Sequence, residues 1–121
     1  MKKVLIVDDS MYMRTLINTA LTDTGRYEIV GQAADGNTAV ELALELKPDL
    51  ITLDNILPDM IGVDIARELR AENITSKIIM VSAVGQEAVI NEGKNAGIED
   101  YLVKPFTGDV LIERIDKLFA K

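Results

Sequence analysis

Short, nearly continuous apolar runs alternate along the chain with longer stretches in which apolar residues return every three or four positions. The runs are Val4–Val7, Tyr27–Val30, Leu50–Leu53, Ile78–Val81 and Tyr101–Val103. A strand wetted on one side alternates apolar with polar residues, so unbroken runs of this length suit parallel strands buried on both faces. Between the runs, Met13, Leu16, Ile17, Ala20 and Leu21 adopt the i, i+3, i+4, i+7, i+8 spacing of one buried helical stripe. Val40, Ala43 and Leu44 predict a second helix, Ile65, Ala66 and Leu69 a third, and Leu111, Ile115 and Leu118 a last one. The pattern over Gln86–Ala96 is the weakest, because Gly93 lies inside it and glycine costs about 1 kcal/mol against alanine in a helix interior. Gly25, Asp35-Gly36, Lys47-Pro48, Pro58, Gly62, Gly85, Gly97 and Pro105 punctuate the segments as turns or helix boundaries. A strand and then a helix, five times over, predicts an α/β domain: a doubly wound five-stranded parallel sheet with helices on both faces. The 121 residues make one such domain, with no linker or repeat inside it.

In open sheets of this kind ligands bind beyond the carboxyl ends of the strands, so the residues just after each run carry the chemistry. Asp8 and Asp9 come after the first, Asp54 after the third, Ser82 after the fourth and Lys104 after the fifth. A single Asp after a strand is ordinarily a cap or turn residue, and a single Ser or Lys there is ordinarily solvated. Three carboxylates, a hydroxyl and an ammonium gathered at one rim make a different pattern. Clustered carboxylates repel, and one would hold its proton unless a cation intervenes. Oxygen-only donors and few carboxylates favour Mg²⁺ over a Ca²⁺ cage. With Lys104 as a second positive charge, such a site suits an incoming phosphoryl group, one carboxylate attacking phosphorus to become an aspartyl phosphate.

Composition narrows the alternatives. The chain has no cysteine and no histidine, which excludes disulfides, thiol nucleophiles, histidine bases and His- or Cys-held metals. A net charge of −7 argues against direct nucleic-acid binding, which needs a basic surface. No apolar stretch is long enough to span a bilayer, and the N-terminal run is too short for a signal peptide before it meets Asp8 and Asp9. The expectation is a cytoplasmic domain without a membrane or nucleic-acid partner.

Several stretches, in order and spacing, carry a family resemblance. They are Val4-Leu5-Ile6-Val7-Asp8-Asp9-Ser10, Lys47-Pro48-Asp49-Leu50, Leu53-Asp54, Leu57-Pro58-Asp59-Met60-Ile61-Gly62, Val81-Ser82-Ala83 and Lys104-Pro105-Phe106. Over nearly its whole length the chain resembles the receiver domains of bacterial and archaeal response regulators, the stand-alone chemotaxis type most closely. The resemblance implies the flavodoxin-like strand order 2-1-3-4-5. It implies Asp54 as phosphoacceptor, Mg²⁺ held by Asp9, Asp54 and the backbone carbonyl of Ile56, and Asp8 acting through water. It further implies that Ser82 and Lys104 bind phosphoryl oxygens, that the Lys104-Pro105 bond is cis, and that Tyr101 turns inward as Ser82 is drawn to the phosphoryl group, reshaping the surface of the fourth helix, fifth strand and fifth helix. The implied partners are a histidine kinase as donor and an output protein, a motor component or adaptor, reached by a monomer with no output domain. The alternative within the family is a phosphorelay intermediate that hands the group to a histidine phosphotransfer protein.

Two other classes fit less well. A phosphatase with an Asp nucleophile usually carries a second Asp two residues on, where this chain has Ile56. A flavin carrier needs a phosphate-cradling loop after the first strand, where Asp8 and Asp9 would repel the phosphate. Ile56 and Val84 occupy variable positions that are often polar in the family, so the site is expected to orient water poorly and keep its phosphoryl group. Glu87 and Glu92 against Lys94 make the fourth helix acidic, suggesting a basic partner.

Overall fold

The computed structural model describes residues 1–83, 85 and 87–120, Glu87 by its backbone alone. Among these, five strands form one parallel sheet: β1 (Lys2–Val7), β2 (Tyr27–Ala33), β3 (Leu50–Leu53), β4 (Lys77–Ser82) and β5 (Asp100–Val103), in the order β2-β1-β3-β4-β5. The helices between and after them are α1 (Met11–Asp23), α2 (Gly36–Leu46), α3 (Gly62–Ala71), α4 (Glu87–Asn95) and α5 (Gly108–Leu118). Each expected strand is present, and each expected helix has its counterpart.

Alternation of side chains along the strands divides the core into two layers. Leu5, Val7, Ile51, Leu53, Ile78 and Met80 point one way, onto Ala39 and Ala43 of α2 and Val63, Ala66 and Leu69 of α3. Val4, Ile6, Leu50, Ile79, Val81 and Leu102 point the other way, onto Ile17 and Leu21 of α1 and Leu111 and Ile115 of α5. Both faces are covered, which is why the strands read as apolar runs.

The stripe of α2 is rotated from the expected one. Ala39 and Ala43 are buried, whereas Leu44 is 38% exposed. Gly36, Ala39 and Ala43 form the buried line, and small residues there let the helix approach closely; Leu44, one position beyond Ala43, turns about 100° away from the sheet. Caps set the entries of the helices. Ser10 Oγ accepts from Met13 N–H at α1, Asp35 from Thr38 N–H at α2 and Thr107 from Val110 N–H at α5. The α1 cap is therefore Ser10, which releases Asp8 and Asp9 for other work.

Candidate functional site

The carboxyl end of the sheet gathers the predicted residues. Asp8 continues the face of Val4 and Ile6, Asp54 that of Leu50, and Lys104 that of Leu102, so alternation sends all three toward the α1 and α5 side. Ser82, the last residue of β4, continues the face of Ile78 and Met80 and is 1% exposed. The rim thus has two walls, one charged and one carrying the hydroxyl.

Asp8 is the buried centre of the charged wall, at 1% exposure. One of its oxygens accepts from Ser10 N–H at 2.9 Å, and the other accepts from Lys104 Nζ at 2.9 Å. Arg14 donates to the Asp8 carbonyl at 2.7 Å. Lys104 stands farther from Asp54, at 3.6 Å. The Asp8–Lys104 pair joins residues 96 positions apart, and sequence reasoning, which assigned Lys104 to an incoming phosphoryl oxygen, did not anticipate that Asp8 holds it. A lysine poised between two carboxylates is already oriented toward the acceptor, at the cost of desolvating charges that only their mutual pairing offsets.

Asp54 comes directly after β3, its N–H donating to the Val7 carbonyl at 2.9 Å. Its carboxyl is pushed above the ordinary aspartate range, first by burial and then by the charge of Asp8; Lys104 and the Ile56 N–H pull it back in part. A group in that condition gains from any added positive charge. Asp9, on the exposed side, completes the cluster: ligand oxygens of Asp8, Asp9 and Asp54 lie within 4.8 Å of one another. Three hard oxygen donors at that spacing fit a small divalent ion with water completing its shell, so the residues present suit Mg²⁺.

The loop after Asp54 is folded tightly onto itself. Gly62 N–H donates to the Asn55 carbonyl at 2.6 Å, Ile56 bridges Ile61, and Leu57 N–H donates to the Met60 carbonyl at 3.1 Å. Glycine is required at position 62, because a Cβ there would stand 2.5 Å from the Asp54 carbonyl oxygen. On the far side of the rim, Lys104 N–H donates to the Ser82 carbonyl at 2.8 Å, and the Lys104-Pro105 bond is cis.

Tyr101 is 9% exposed and packs in the layer with Met80, Ala96 and Ile98. Beside it a groove of about 250 Å³ runs between α4 and α5, lined by Ile90, Lys94, Ile98, Asp100 and Arg114 among others. Arg114 donates to both oxygens of Asp100, at 2.7 and 2.6 Å, and to the Tyr101 carbonyl at 3.1 Å. The expected acidity of α4 is partly quenched, since Glu92 pairs with Arg67 of α3 at 3.3 Å. Val84 and the Glu87 side chain lie outside the described residues.

Sequence reasoning placed Asp59 within a motif without giving it a role, and of the exposed apolar side chains around the rim it singled out Ile56 alone. Ile56, Ile61, Val103, Met11, Tyr12 and Val110 are 40 to 74% exposed, and all belong to loops, strand ends or helix starts at this edge of the sheet. Their signal was available: apolar residues adjoining the acidic and basic positions, outside any helical stripe.

Among the described residues no helix is long and apolar enough to cross a membrane. Residues 4–116 match the family described as response regulator receiver domain. The chain is 42% identical over 117 residues to the chemotaxis protein CheY of Thermotoga maritima, covering 97% of each. It is 39% identical over 115 residues to CheY of Bacillus subtilis, covering 95% of each. Among solved structures, a Borrelia burgdorferi complex of CheX with CheY, BeF3 and Mg²⁺ superposes with a TM-score of 0.95 at 30% identity, covering 99% of this chain and 90% of that one.

Proposed function

The chain belongs to the response regulator receiver-domain family, a family of phosphoacceptor switches rather than metabolic enzymes, and from that premise we propose that it takes a phosphoryl group on Asp54 from a histidine kinase and thereby changes the surface of α4, β5 and α5 that a partner protein reads. The observation that carries this reading is the cluster of Asp8, Asp9 and Asp54 with Lys104 set between two of its members.

The chemistry comes from the groups themselves. An Asp54 carboxylate oxygen attacks phosphorus, the P–N bond of the phosphohistidine breaks, and the imidazole nitrogen keeps the electron pair and takes a proton from solvent. Asp9, Asp54 and the Ile56 carbonyl would hold Mg²⁺, with Asp8 reaching it through water; that ion supplies positive charge to the phosphoryl oxygens and to the acceptor. Lys104 stabilises a further oxygen, and Ser82 donates its hydroxyl from the opposite wall. Phosphoryl transfer asks for little beyond positioning and charge, and the same machinery lets the domain assist its own phosphorylation and dephosphorylation.

The rim of exposed apolar side chains, Met11, Tyr12, Ile56, Ile61, Val103 and Val110, supports docking of a protein donor, since apolar residues around a charged centre exclude water when a helical partner covers them. On phosphorylation Ser82 is drawn toward the new group, which opens space for Tyr101 to turn inward. Chemotaxis or motility control is the favoured setting, given the likeness to CheY proteins, with a motor component or adaptor as the output partner.

Intact-protein mass spectrometry after incubation with acetyl phosphate tests the reading. The wild type with Mg²⁺ is expected to gain one phosphoryl adduct, and both Asp54→Asn and omission of Mg²⁺ are expected to abolish it. An adduct indifferent to Asp54, or none at all, would overturn the proposal.

A further inference from the structure

We propose that Asp59 is a positioning residue for the metal-binding loop: its carboxylate ties the tip of the β3–α3 loop to the first turn of α2 and so fixes where the Ile56 carbonyl stands. The inference rests on the proposed role of Ile56 as a metal ligand.

Asp59 Oδ1 accepts from Gly36 N–H at 2.6 Å and Oδ2 accepts from Asn37 N–H at 3.0 Å. These are contacts between two different connections of the fold. The tip of the loop after β3 reaches past the end of β1 to the helix after β2, which the strand order brings within range. The helix does not need Asp59 for its own cap, because Asp35 already serves Thr38 N–H at 2.8 Å. Two carboxylates therefore share the free N–H groups of one helix start, one from the residue that caps the helix and one from the loop. The positive end of α2 favours a carboxylate, and the N–H groups of Gly36 and Asn37 hold the Asp59 carboxyl below the usual aspartate range.

The loop between these ends behaves as one body. At its base Gly62 lies against the Asp54 carbonyl, closed by the Gly62–Asn55 hydrogen bond. Its two arms are joined at Ile56 and Ile61 and again at Leu57 and Met60. At its tip Met60 covers Gly36 so closely that a Cβ there would be 2.7 Å from the Met60 sulfur. With Asp59 engaged, the loop is fastened at both ends. Without it, the arm bearing Ile56 is held by its base and by the Met60 contact, and a flexible thioether against a glycine imposes little direction.

Mg²⁺ tolerates little deviation in its ligand geometry, and groups that orient metal ligands from outside the coordination sphere change affinity by about 10- to 100-fold when removed. The test is isothermal titration calorimetry of the unphosphorylated protein with MgCl2, on wild type, Asp59→Ala, Asp59→Asn and Asp35→Ala, each with a urea midpoint. Asp59→Ala is expected to weaken Mg²⁺ binding about 10-fold. Asp59→Asn, whose amide oxygen still accepts one N–H, is expected to fall between it and the wild type. Asp35→Ala removes a cap from the same helix and leaves the loop tied, so it is expected to lower the urea midpoint and keep Mg²⁺ affinity within about 2-fold, by the same reasoning about groups behind the ligands. Equal Mg²⁺ affinity in wild type and both Asp59 variants would overturn the tether while leaving the site reading intact. An Asp35→Ala loss as large as that of Asp59→Ala would also overturn it, by showing that helix stability alone is responsible. A wild type that binds no Mg²⁺ would overturn the site reading, and the tether with it.

Discussion

Thr52 offers a direct measure of what the sheet tolerates beneath the acceptor. It sits on β3 between Ile6 of β1 and Ile79 of β4, is 1% exposed, and its hydroxyl oxygen has no hydrogen-bond partner among the described residues. Alternation places it on the face of Leu50 and Asp54, in the layer covered by α1 and α5. A hydroxyl moved from water into such surroundings without a partner costs about 1–3 kcal/mol on the scale of protein substitutions. Valine has nearly the same shape and suits a strand at least as well. Thr52→Val is therefore expected to stabilise the protein by about 1–2 kcal/mol. In a domain of this size that corresponds to a melting temperature higher by about 3–8 °C, or a urea midpoint higher by about 0.5–1 M. Thr52→Ser keeps the hydroxyl and removes a methyl group, so it is expected to lose about 1 kcal/mol. The opposite signs guard against a general effect of substitution at this site. Equilibrium urea denaturation monitored by far-ultraviolet circular dichroism, with constant slopes across the three proteins, gives the comparison. A Thr52→Val protein less stable than the wild type would refute the reasoning and mean that the hydroxyl is satisfied, for instance through an internal water.

Gly62→Ala should cost about 1–3 kcal/mol in urea denaturation and slow acetyl phosphate labelling, because the new methyl meets the Asp54 carbonyl rather than a side chain that can move aside; a stable, fully reactive variant would contradict this. Asp100 is held below the ordinary carboxylate range: burial pushes its pKa upward, but the Arg114 guanidinium and the Tyr101 N–H outweigh it. A depressed folded pKa contributes stability that is present above the unfolded value and lost as pH falls through the folded one. Arg114→Met should thus cost about 1 kcal/mol at pH 7, modest because the pair is partly exposed, with the gap to wild type closing below about pH 4; a gap independent of pH would show that packing alone was lost. Ile56→Asn should speed decay of the phosphoryl group by about 10-fold, less than a true general base provides because an amide orients water without taking its proton; unchanged decay, read by the loss of the mass adduct over time, would show that water reaches the site freely past Ile56.

The apolar runs and helical stripes were legible in the chain because each is a local pattern, set by the period of its own element and by turn residues at its ends. Unbroken apolar runs marked the strands as parallel and covered on both faces, and Asp8, Asp9, Asp54, Ser82 and Lys104 could be placed at one rim from their positions after those runs. Strand order came from resemblance alone, since periodicity carries no information about which strand lies beside which. Tertiary structure decided the rest. Whether Leu44 or Ala39 joins Ala43 against the sheet depends on how closely α2 packs, which its apolar residues leave open. Ser10, not Asp8 or Asp9, caps α1. Lys104 meets Asp8 before Asp54 across 96 positions, and Asp59 reaches Gly36 across 23. Contacts of that span depend on the order of strands and the reach of loops, quantities that exist only once the sheet has formed and brought distant segments to a common edge.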